Sequence, residues 1–116
     1  MKNPLRDKSF AFALRIVRLA QHLQIVKKEW VLSKQLLRSG TSIGAMVREA
    51  GQAESRADFI HKMAVGLKEA DESQYWIELL YHSGYMSETA FQSINYDCTE
   101  LLKLLTSTIK TAKSNR

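Results

Sequence analysis

The chain has 116 residues, the size of one ordinary domain, with 45% hydrophobic and 25% charged residues. One cysteine excludes an internal disulfide, and one proline with five glycines leaves few helix breakers, so an all-helical fold is expected. No apolar run approaches the roughly 18 residues needed to span a bilayer and the N-terminus lacks a signal-peptide core, so a cytoplasmic protein with no membrane contact is expected.

Four helical patterns follow one another over a single domain, residues 1–116. The first is predicted from about Asp7 to Val26. Phe12, Ile16, Leu19 and Leu23 step at helix period. Ala13, Val17 and Ala20 form a second row, and Phe10 and Leu14 widen the apolar arc further. This helix is apolar over more than the stripe a small bundle buries, which predicts a homo-oligomer. Lys8, Arg15, Arg18 and His22 share its remaining narrow face, and Lys27 and Lys28 follow at its end.

The second pattern is predicted from about Trp30 to Ala53. It contains RSGTSIGAMVREA, where two glycines sit among small polar residues. A phosphate-binding loop needs a preceding strand and a Lys-Ser/Thr after the last glycine, and neither is present. The apolar register of Leu36, Gly40, Ile43 and Val47 runs through the stretch unbroken. A helix thinned for close approach is therefore expected.

The third helix is predicted to start at SRAD, where Ser55 is a good N-cap and Asp58 completes a variant capping box. Phe59, Met63, Gly66, Ala70, Ile77 and Leu80 mark its apolar face. Gly84 suits a left-handed C-terminal cap. Ser87 then caps a fourth helix, whose face is Phe91, Ile94, Cys98, Leu101, Leu105, Ile109 and Ala112; the tail KSNR is expected to fray. Short connections make sequential helices antiparallel, which predicts an up-down-up-down four-helix bundle.

No catalytic or metal site is legible. A di-iron bundle needs inward glutamates on all four helices and two Glu-x-x-His pairs, whereas the first helix has no internal carboxylate and Glu-x-x-His is absent. His22, His61 and His82 occupy separate pattern positions. Cys98 falls on a core row, as a small buried hydrophobe does. A non-enzymatic protein without cofactor or metal is the expectation.

The most informative polar residues lie on helices two and three. Gln35, Arg38, Ser42 and Glu49 project together, as do Glu69, Glu72 and Trp76. Folding the two helices back to back near Glu54 brings Arg38 level with Glu69 or Ala70, Gln35 with Glu72 or Ser73, and Glu49 with Phe59 or Lys62. Opposite charges then meet at matched heights, as a half-buried ladder or a binding site. Charge is uneven along the chain: residues 1–29 carry +5, 30–53 carry +2, 54–84 carry −3 and 85–116 carry +1. The basic N-terminal helix is a candidate surface for RNA or DNA.

At QLLRSGTSIGAMVREA and ESRADFIHKMAVGLKEADESQYWIELL the chain resembles the proteins first noticed as reading frames inside intervening sequences of bacterial 23S ribosomal RNA genes. The resemblance covers nearly the whole chain and is densest over residues 35–80. It implies an antiparallel four-helix bundle and a ring-shaped homopentamer. It also implies kinship with the accessory protein of diversity-generating retroelements, a basic pentamer that associates with a reverse transcriptase and nucleic acid. By position, Gln35, Arg38, Ser42, Glu49, Ser55, Asp58, Phe59, Glu69, Glu72, Tyr75 and Trp76 are its family-pattern residues. Met46 departs from that pattern, since the family usually has Asn there, so any polar contact made by that Asn is lost. The expected function is a non-enzymatic oligomeric bundle that engages nucleic acid or a nucleic-acid enzyme through a basic surface. The alternative is a protein-interaction scaffold without nucleic-acid affinity.

Overall fold

In a computed structural model that describes residues 3–115, the chain forms four helices: α1 Pro4–Ile25, α2 Leu32–Ala50, α3 Arg56–His82 and α4 Glu88–Ser114. α1 starts three residues earlier than the sequence pattern suggests. The Asn3 side chain accepts the Arg6 N–H at 3.0 Å, and Pro4 supplies a φ already suited to a first turn. α2 is shorter at both ends than the expected Trp30–Ala53 span.

The α1–α2 connection explains the late start of α2. Lys28 takes a left-handed φ of 58°, which turns the chain so that the Glu29 N–H reaches the Leu23 carbonyl at 2.9 Å. The Glu29 carboxylate is then buried against the start of α2. It accepts N–H bonds from Val31 at 3.1 Å, Leu32 at 2.9 Å and Ser33 at 2.7 Å. The donors left open at the helix start are thus satisfied by a side chain two residues outside the usual cap position.

The other two connections follow familiar chemistry. Ser55 accepts the Asp58 N–H at 3.0 Å, and Asp58 accepts the Glu54 N–H at 3.2 Å. α3 ends with Gly84 at φ 88°, where Tyr85 N–H reaches Leu80 O and Gly84 N–H reaches Tyr81 O, the paired bonds of a Schellman cap.

Each helix packs on its sequence neighbours, and α1 closes the ring against α4, the thinnest of the four seams. The resulting rod measures 49 × 24 × 21 Å. Phe12, Ile16, Leu36, Ile43, Ile77, Leu80, Leu101 and Leu105 fill its axis, and Cys98 sits among them. Gly40 thins α2 where it crosses α1: a Cβ there would lie 2.8 Å from two carbons of Ile16. The buried hydroxyls of Ser39 and Ser73 tie α2 to α3 at 2.8 Å.

Candidate functional site

Arg38 projects from the middle of α2 onto α3. Its guanidinium donates to both Glu69 oxygens, at 3.0 and 3.2 Å, and to Glu72 Oε2. Trp76, one turn beyond, donates its indole N–H to the same Glu72 oxygen at 2.9 Å. The Trp76 indole bond and then Arg38 hold Glu72 below the usual carboxylate range, and Glu69, then Glu72, raise Arg38 further. Half of the Arg38 side chain remains exposed, so the group is a surface clamp with a solvent-facing guanidinium. Tyr75 stands beside it, exposed, with its ring edge-on to Trp76 at 5.0 Å.

The remaining members of the expected polar face divide. Glu49 accepts from Lys62 at 3.1 Å, about three helical turns along α2 from the clamp. Ser42 donates back to the Arg38 carbonyl at 2.6 Å and so fixes α2 locally, away from the carboxylates. Gln35 is exposed and makes no side-chain hydrogen bond among the described residues. Met46 lies across from Gly66, where a Cβ would meet its own at 3.5 Å, so this position makes an apolar α2–α3 contact.

The basic residues of α1 also divide. Lys8 pairs with Glu100 at 2.8 Å. Arg15 pairs with Asp97 at 2.6 Å and adds Ser93 Oγ at 2.9 Å. Both cations therefore belong to the α1–α4 seam. Arg18, His22, Lys27 and Lys28 are exposed and form no ion pair among the described residues. His22 and Lys27 line a cleft of about 410 Å³ with Leu19, Tyr85, Met86 and Ser87, where the end of α1 meets the start of α4.

An apolar stripe runs along the outer side of α1. Phe10 is 51% exposed, Leu14 43% and Ile25 65%, and Val26, Trp30 and Val31 extend it around the connection. Arg48 of α2 lies over the Phe10 ring, 5.4 Å from its centroid.

Among the described residues no group of three or more His, Cys, Asp or Glu is placed to share a metal ion, and no helix is long and apolar enough to cross a membrane. Burial, followed by the charges of Asp71, Asp97 and Glu78, pushes the Cys98 thiol up to about 12. Its S–H donates to the Ala70 carbonyl at 3.3 Å. A neutral, enclosed thiol is not a nucleophile at neutral pH.

Sequence reasoning placed Lys62 level with Glu49, as found, but missed Glu29, Asp97 and Glu100. Asp97 and Glu100 depend on how α1 closes against α4, which no short connection dictates.

No curated protein matches the chain. A solved crystal structure does: a protein of unknown function from the S23 ribosomal protein family of Bacteroides thetaiotaomicron, 57% identical. The match covers 91% of this chain and 98% of that one, with a TM-score of 0.91. The family model for the 23S rRNA-intervening sequence protein matches residues 1–107. With four helices, a bundle core and a match over nearly its whole length, the chain belongs to the 23S rRNA-intervening sequence protein family.

Proposed function

We propose that the protein is a non-enzymatic homo-oligomeric bundle, a pentamer as the family resemblance implies, that engages nucleic acid or a nucleic-acid enzyme through basic surface residues. The observation that carries assembly is the outer stripe of α1, where Phe10, Leu14 and Ile25 stay exposed after the other three helices have packed. Large apolar side chains aligned on one helix face mark an interface more often than a solvated surface. Covering that stripe with another subunit would bury aromatic and aliphatic anchors of the kind that dominate interface energy.

The basic reading narrows to Arg18, His22, Lys27 and Lys28, because Lys8 and Arg15 are neutralised by α4. Repetition of four weak phosphate contacts around a ring raises their effect through local concentration. The alternative, a protein scaffold without nucleic-acid affinity, draws on the same α1 stripe and on the two neutralised cations.

Light scattering at micromolar protein is expected to return a multiple of the 13.3 kDa chain mass. Phe10→Glu with Leu14→Glu is expected to reduce it to one chain. A parent of monomer mass overturns the reading.

A further inference from the structure

Beyond the α1 residues, the structure holds a basic surface on a different helix and at the other end of the rod. We propose that the outward face of α4 from Tyr96 to Lys113 is a track for single-stranded nucleic acid, with Lys103, Lys110 and Lys113 holding the phosphate backbone and Tyr96 stacking a base.

The first ground is charge. No Asp or Glu occurs after Glu100, whereas Lys103, Lys110, Lys113 and Arg116 do. The two acids that precede this stretch, Asp97 and Glu100, are already engaged by Arg15 and Lys8 across the α1 seam. The overall charge of residues 85–116 is only +1, so this separation of sign is invisible in the segment sum. Lys103, Lys110 and Lys113 are exposed, and none forms an ion pair among the described residues.

The second ground is spacing. Tyr96, Lys103 and Lys110 recur every seven residues, two helical turns, which places them on one face about 10.5 Å apart along the axis. Lys113 follows one turn later. Shallow grooves of about 460 and 450 Å³ run along this row, the first lined by Lys103, Ser107 and Lys110, the second by Lys110, Lys113 and Ser114. Arg56, at the start of α3, shares the next hollow with Lys113 and extends the positive surface.

The third ground is Tyr96 itself. It is 69% exposed and pairs with no other aromatic ring among the described residues, although Tyr81 and Phe91 stack at 4.3 Å nearby in sequence. An open aromatic face in line with spaced cations is the arrangement that binds a single strand without reading its sequence. A duplex offers no free base to Tyr96. Compensation of the α4 dipole accounts for Lys113 in the last turn, but that effect fades within one turn and leaves Lys103 and Lys110 unexplained.

The test is fluorescence anisotropy at low salt with the full chain and a labelled oligouridylate or oligothymidylate of about 20 nucleotides, longer than typical single-strand site sizes. Lys103→Glu with Lys110→Glu is expected to weaken binding at least about tenfold and to lower the salt slope by about 1.4, near 0.7 per lost contact. Tyr96→Ala is expected to weaken it about five- to 150-fold. Lys103→Gln with Lys110→Gln gives a smaller loss in the same direction and serves if charge reversal unfolds the bundle, which helical circular dichroism reports.

Unchanged affinity in the folded Lys103/Lys110 variants overturns the proposal. If Arg18→Glu with Lys27→Glu and Lys28→Glu alone abolishes binding, the α1 reading stands and this one falls; loss in the α4 variants with α1 silent gives the reverse. A silent Tyr96→Ala together with equal competition by duplex overturns the single-strand assignment. Binding to anionic phosphatidylserine vesicles with none to either oligonucleotide overturns it in favour of a lipid surface.

Discussion

α1 has two neighbours and holds them by different means. Against α2 it relies on close approach: Gly40 removes a side chain opposite Ile16, a Cβ added at Gly44 would reach Ser9 at 3.5 Å, and Gln24 donates to Ser33 at 3.2 Å. Against α4 it relies on charge: Lys8 with Glu100 and Arg15 with Asp97, all more than a third exposed, over a thinner contact. Tight packing depends on shape and is lost in steps of one methyl group. Exposed ion pairs depend on flexible side chains in water and contribute little. One helix is therefore fixed on one side and only aligned on the other, which leaves its outer apolar stripe between a rigid seam and a compliant one.

The largest test of that contrast is Gly40→Leu. Even a single Cβ would sit 2.8 Å from Cγ1 and Cγ2 of Ile16, which is fully buried and cannot turn away. Leucine's better helix propensity recovers about 1 kcal/mol at most. Overpacking is expected to cost about 1–3 kcal/mol net, read as the urea midpoint at fixed protein concentration. Gly44→Ala is the control, since its Cβ would meet Ser9 at 3.5 Å and gains helix propensity without a clash. Equal losses at the two sites would show that α2 as a whole resists side chains and that Gly40 is not a special approach.

Glu29 tests the same seam at its hinge. Burial alone would raise its pKa, but N–H bonds from Leu32, Ser33 and Val31, with the Ser33 hydroxyl, outweigh it and hold the carboxyl below 4.5. A lowered folded value means that the unfolded chain binds the proton more readily. Its stabilisation is therefore complete well above pH 4.5 and is lost as pH falls through 4.5 towards the folded value. Glu29→Gln is expected to cost about 1–2 kcal/mol at pH 7 through the weakened N–H bonds. The gap between parent and variant narrows as the pH is lowered through 4.5 and closes once the folded carboxyl is protonated as well. A gap that stays constant with pH would show that Glu29 acts by shape alone.

How much of this was legible depended on how many turns separate the partners. One short turn near Glu54 joins α2 to α3, so an antiparallel fold brings positions of nearly constant index sum together; Arg38 meets Glu69 and Glu72, and Glu49 meets Lys62, as counting along the chain places them. Height is not azimuth, however, and Gln35, at the level of Ser73, points elsewhere. The α1–α4 pairs lie 82 and 92 positions apart, with three turns between them, and the expected free stripe of Lys8, Arg15, Arg18 and His22 lost two members to carboxylates that segment charge had averaged away. The core rows were legible because helix period needs no partner to be read. The Glu29 cap was not, because a glutamate two residues before the cap position carries no recognised start signal; only the left-handed turn at Lys28 brings it to the N–H groups.

The smallest expected effect lies on the charged seam. Arg15→Ala removes the bond to Asp97 and the contact to Ser93, but its side chain is 38% exposed and that of Asp97 36%. Water can solvate the carboxylate left behind, so no buried charge is stranded, and the loss is expected to stay below about 1 kcal/mol. Raising salt to about 1 M shortens the screening length to about 3 Å and is expected to erase most of it, whereas the cost of Gly40→Leu should persist because sterics do not screen. The comparison breaks if Arg15→Ala costs more than Gly40→Leu, or if its cost is unmoved by salt. Either result would make the α1–α4 seam the one that positions α1. The outer stripe and the Arg18–Lys28 surface would then move with α4, not with α2. If the small, salt-sensitive loss is found, α1 can tilt against α4 without unfolding, and a subunit docked on Phe10, Leu14 and Ile25 would stiffen the thinnest seam of the bundle as it binds.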